Sequence, residues 1–106
     1  MLKHDLHIKA VDRYMKWKVI DPCDFRWRFW DGQHVVYNPA SGDTHLLNPV
    51  AGEALQSLQQ SPADVSELAG RVASRLEIPS NRQLLEQVEQ LVNELNELGL
   101  IESEQP

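Results

Sequence analysis

The chain has 106 residues, 42% of them hydrophobic, enough to bury one core and too few for two. Its net charge of −6 is split: residues 1–30 carry seven of the ten basic side chains against four aspartates, and residues 31–106 carry three arginines against twelve acids. The acidic remainder disfavours a phosphate-binding surface, the single Cys23 excludes an internal disulfide, and no stretch approaches the ~18 apolar residues of a membrane span, so the expected setting is the cytoplasm.

Residues 1–15 show no clean period and read as a mobile N-terminal arm. In residues 16–20, Trp17 and Val19 alternate with Lys16 and Lys18, the pattern of a short strand, and Asp21-Pro22 ends it. Phe25, Trp27 and Phe29 then alternate with Arg26 and Arg28, as a half-exposed strand should, which puts the two phenylalanines and Trp27 on the core side and Trp30 on the exposed side. Asp31-Gly32 suits a two-residue turn with both residues at positive φ, so residues 33–37 return as the second strand of a hairpin. The turn-rich run 38–43 leads to a third strand over residues 44–47.

The pattern changes at Asn48-Pro49, a helix cap followed by a proline that fits the first turn. A first helix runs to about Gln60. Ser61-Pro62 signals a second, striped by Val65, Leu68, Val72 and Leu76 and stopped near Ile78 by Pro79. Ser80 or Asn81 caps a third, with Leu84, Val88, Leu91, Leu95 and Leu98 in one stripe widened by Leu85 and Val92. Gly99 is placed as a left-handed C-terminal cap with Leu100 folding back onto the last turn. The expected fold is α+β and winged-helix-like: a three-stranded antiparallel sheet followed by a three-helix bundle over residues 16–101, with 102–106 as a polar tail.

No constellation of catalytic residues emerges, and the chain reads as a non-enzyme needing no cofactor. The five glycines are scattered, which rules out a phosphate loop. Ser41, Asp43 and His45 are close in sequence, but a nucleophilic triad is assembled from separate scaffold positions. His4 and His7 are too few ligands for a metal site. Glu86, Glu89, Glu94 and Glu97 lie largely outside the apolar stripe of the third helix and read as its solvated face. They also argue against the first rival reading, a DNA-binding winged-helix regulator, whose third helix would face phosphates. What remains is an open sheet edge able to accept another polypeptide strand. A structural module that pairs this edge in a homodimer is the second rival.

Tyr37-Asn38-Pro39-Ala40-Ser41-Gly42-Asp43-Thr44-His45-Leu46-Leu47-Asn48, followed by Ala51-Gly52-Glu53-Ala54-Leu55, resembles the signature of the PqqD-like family of peptide chaperones, most closely the branch found in HPr-kinase-related systems. The resemblance implies a recognition element for ribosomally synthesised, modified peptides, in which a precursor's leader segment adds antiparallel to the third strand and packs on the third helix. Carried over, the strand is Thr44, His45, Leu46 and Leu47, and the helix positions are Leu84, Leu85, Val88, Leu91 and Val92. The implied partners are a precursor or leader peptide and a modifying enzyme or HPr-kinase-like protein, with no nucleic acid and no membrane.

Overall fold

A computed structural model describes residues 15–20 and 24–104; the expected N-terminal arm, except for Met15, and Cys23 lie outside the described residues. The elements are β1 (Trp17–Val19), β2 (Arg26–Trp30), β3 (Gln33–Asn38), β4 (Asp43–Leu47), α1 (Pro49–Gln60), α2 (Val65–Leu76), α3 (Arg82–Glu97) and β5 (Ile101–Ser103). Antiparallel strands followed by three helices make the α+β fold expected from the sequence, with one added layer. β2, β3 and β4 form a three-stranded sheet in that order, and β1 pairs separately with β5. No helix among the described residues is long and apolar enough to cross a membrane.

The hairpin follows from its turn. Asp31 and Gly32 take φ of 55° and 75°, the left-handed pair that a two-residue loop between twisted strands requires. Trp30 and Gln33 are therefore direct partners, and the register continues to Arg26 opposite Tyr37. The second turn rests on buried Asn38. Its carbonyl accepts from the N–H groups of Ser41 and Gly42 at 3.3 and 2.7 Å, and its Oδ1 accepts from Ala40 at 3.1 Å.

Each helix has a chemical start. Asn48 Oδ1 accepts from the Ala51 N–H at 2.8 Å and Asn81 Oδ1 from the Leu84 N–H at 2.9 Å. The second helix begins later than Ser61-Pro62 suggests. Ala63 is extended because its backbone pairs with Trp17, its N–H donating at 3.1 Å and its carbonyl accepting at 2.8 Å. Asp64 is the cap, in a reciprocal box with Glu67. The third helix ends as its sequence reads: Gly99 has φ of 78°, the Leu100 N–H donates to the Leu95 carbonyl at 3.0 Å, and Leu100 is fully buried.

That burial carries the chain into β5, where the sequence suggested a domain end at 101 and then a polar tail. Val19 pairs with Ile101 and Trp17 with Ser103. Three residues with one buried side chain have no readable period, so only the partner strand defines this element. The core joins Val36 of the sheet to Leu55 and Leu58 of α1, Leu68 and Val72 of α2, Val88, Val92 and Leu95 of α3, and Ile101. Phe25 is in this core and Trp27 is half-buried, its Nε1 donating to Gln59 Oε1 at 2.7 Å. Phe29 departs from expectation. It is 67% exposed and packs edge-on against His34, with ring centroids 5.3 Å apart, while His34 is the residue that lies against α1 at Gly52. Trp30 is exposed, as the alternation predicts.

α1 can lie close to β3 only because residue 52 is glycine: a Cβ there would collide with the His34 side chain. Gly52→Ala should therefore destabilise the domain by about 1–3 kcal/mol despite alanine's better helix propensity. Thermal melts of Gly52→Ala and of Gly52→Ala combined with His34→Ala test this, the second change being expected to restore part of the loss. The Asp64 N–H donating to Glu67, with Lys16 and Arg71 nearby, holds the Glu67 carboxyl below the usual carboxylate range. Its contribution to stability is thus complete above the ordinary glutamate value and lost as pH falls through the lower folded value. Glu67→Gln, which keeps the cap, should flatten the acid side of the stability profile measured by denaturant titration.

Candidate functional site

Residues of an antiparallel pair alternate between those that bond the partner strand and those whose backbone groups point away from it. A two-residue turn closes on a hydrogen-bonded pair, so Trp30 and Gln33 bond one another, as do Arg28 with Val35 and Arg26 with Tyr37. The intervening β3 residues, His34, Val36 and Asn38, then bond Leu47, His45 and Asp43. The backbone groups of Thr44 and Leu46 are left pointing out of the sheet, with no strand beyond them among the described residues.

The two edges of this sheet are not equivalent. β2 carries Arg26 and Arg28 along its edge, both exposed, the kind of charge that discourages pairing with another strand. β4 has no charged residue after Asp43. Its Leu46 is 64% exposed, an apolar side chain left in water on an unpaired strand.

Beside that edge is a cleft of about 350 Å³ between the β4–α1 junction and the C-terminal half of α3. Leu47, Ala51, Leu91 and Leu95 are its buried apolar lining, with Leu46 and Val50 at one side. Gln87, Gln90, Glu94 and the 46%-exposed Leu98 form the other side. Glu94 is the one charged side chain lining the cleft among the described residues, and Gln90 Nε2 donates to its Oε2 at 3.5 Å. The arrangement offers backbone donors and acceptors along one line, an apolar floor beside them and a polar rim.

Of the residues selected from the sequence, Leu46, Leu47 and Leu91 meet at this cleft. Thr44 is exposed one step along the same edge, and His45 is half-buried, its Nε2 enclosed with no hydrogen-bond partner. Leu84, Val88 and Val92 lie in the core, and Leu85 packs partly buried against it. They stand behind the wall. Leu95 and Leu98 also line the wall, together with Gln87, Gln90 and Glu94; the family resemblance marks none of the five, although all share a helix face with Leu91 by three- and four-residue spacing.

Ser41, Arg71 and Arg75 are engaged in structure. Ser41 Oγ accepts from the Asp43 N–H at 3.2 Å, so the Ser41-Asp43-His45 run builds a turn. Arg71 donates to the carbonyls of Ser61 and Pro62 at 3.1 and 3.4 Å, and Arg75 pairs with buried Glu53 at 3.5 Å. No group of three or more metal-ligating side chains occurs among the described residues.

A family model described as coenzyme PQQ synthesis protein D (PqqD) matches residues 33–101, from the first residue of β3 to the first of β5. No curated protein and no solved structure matches the chain. The alternation along β4 makes a direct prediction for amide hydrogen exchange by NMR. The N–H groups of Thr44 and Leu46 should exchange at least about ten-fold faster than those of His45 and Leu47. Equal protection of all four would overturn the assignment of the open edge.

Proposed function

The chain belongs to the PqqD family, and on that premise we propose that it is a non-catalytic peptide chaperone, holding a precursor's leader segment for a separate modifying enzyme. The observation that carries the proposal is the outward-facing backbone of Thr44 and Leu46 beside the cleft that ends at Leu91, Leu95 and Leu98. An extended segment adding to β4 would satisfy those N–H and C=O groups and cover Leu46, gaining affinity from main-chain bonds and specificity from alternate side chains. Leu84, Leu85, Val88 and Val92 then serve binding from behind, by holding α3 at the distance the added strand needs.

The passage from Tyr37 to Leu55 supports assignment to the branch found in HPr-kinase-related systems, and with it a modifying enzyme or HPr-kinase-like protein as the recipient. We place this activity in the cytoplasm. The acidic outer face of α3, with Glu86, Glu94 and Glu97 exposed, favours a polypeptide over a nucleic-acid duplex.

Peptides encoded beside the gene supply the test. On titration, saturable amide shifts are expected at Thr44, Leu46 and residues 87–98, and shifts confined elsewhere would overturn the groove. Thr44→Pro removes an N–H that bonds nothing in the sheet, so it should leave the fold standing and weaken binding about ten-fold or more. Leu46→Asp should also weaken binding with little change in melting temperature, whereas Val88→Asp, at a fully buried position, should unfold the domain. Mass measured across a concentration series separates client binding from self-pairing of the β4 edge in a homodimer.

A further inference from the structure

We infer that the β4–α3 cleft selects a cationic segment, one whose helix-facing side chains are two apolar residues followed by a lysine or arginine that reaches Glu94. The inference rests on strand addition at β4 and specifies what kind of strand is added.

The spacing comes from matching two periods. Leu91 and Leu95 are four residues apart on α3, about 6 Å along the axis, and alternate residues of a strand are about 6.6 Å apart. A strand laid along the helix would present every second side chain to the wall, whose rise of about 10 Å from Leu91 to Leu98 takes two such side chains and the stem of a third. The first two meet Leu91 and Leu95, both buried, where only an apolar group is accommodated without leaving a polar atom unsatisfied.

The third position is different. Leu98 is half in water, and Glu94 lies one helical turn before it on the same face, exposed at the rim. That pairing of an apolar surface with an acid suits a long cationic side chain, whose methylene stem covers Leu98 while its head stays hydrated beside the carboxylate. A glutamate or aspartate in that place would meet Glu94 as a like charge. Among the described residues no basic side chain lines the cleft to reverse the preference, and residues 31–106 as a whole are strongly acidic, with twelve acids against three arginines.

The experiment uses the full chain and three synthetic peptides that differ at one position. Each carries two leucines and then a lysine, a glutamine or a glutamate at alternate positions, with serine and threonine between. Affinity is measured by calorimetry, and the amides of Thr44 and Leu46 report the place of binding. The expected order is lysine, then glutamine, then glutamate, with about a two- to five-fold step from lysine to glutamine. The step should shrink at high salt and vanish in Glu94→Gln, a change at an exposed side chain. Equal affinities with shifts at Thr44 and Leu46 would overturn the cationic preference and leave strand addition intact. No shift at those amides with any of the three peptides would overturn both.

Discussion

A two-residue loop closed by Asp31 and Gly32 decides more than the path of one hairpin. Because it makes Trp30 and Gln33 a hydrogen-bonded pair, it sets the parity of every residue in β2, β3 and β4. Parity in turn sets which side chains meet the helices and which backbone groups on β4 face outward. A one-residue slip would exchange these sets, taking Val36 out of the core and turning the backbone of His45 to the edge. Both positive φ values are therefore a condition for the open edge two strands away.

The same economy governs α3. Its apolar stripe is wide enough to do two things: Leu84, Val88 and Val92 complete the core, and Leu91 and Leu95 close the floor of the cleft. A helix that served only as a groove wall would have no fixed position. Here the positions that anchor it and those that line the cleft occupy adjoining arcs of its circumference, so distance and orientation of the wall are fixed by packing behind the cleft. Gly52 does the comparable work for α1, letting it approach His34 closely enough that Leu47, Val50 and Ala51 reach the cleft.

Much of this was readable from residues whose effects are local. Asp31-Gly32, Asn48-Pro49, Asn81 and Gly99 act within four or five positions of themselves, and each marks the turn, cap or helix end that its side chain chemistry requires. β5 and the late start of α2 were not readable, because both depend on Trp17 and its neighbours pairing with residues 63 and 101–103, far along the chain. Phe29 was misplaced for a related reason: alternation assigns a side of the sheet but not how much of that side is covered. At the cleft, the strand and helix that the family resemblance pairs do adjoin, with Leu46, Leu47 and Leu91 lining one space. The sequence could not choose among leucines of one broad stripe, since an angular difference of one helical position separates Val88, which is fully buried, from the rim at Gln87.

The pairing of β1 with β5 has a consequence for how such a unit can be joined to others. Val19 lies opposite Ile101, Trp17 opposite Ser103, and the Glu104 N–H donates to the Lys16 carbonyl at 2.8 Å. Chain entering at residue 16 and chain leaving at residue 104 therefore run side by side in opposite directions, a strand's width apart. Such a unit is topologically a plug: it can be spliced into a surface loop of a larger protein without prying that loop open. Because β1 and β5 form a sheet separate from the one bearing β4, the graft point and the open edge belong to different layers of the molecule.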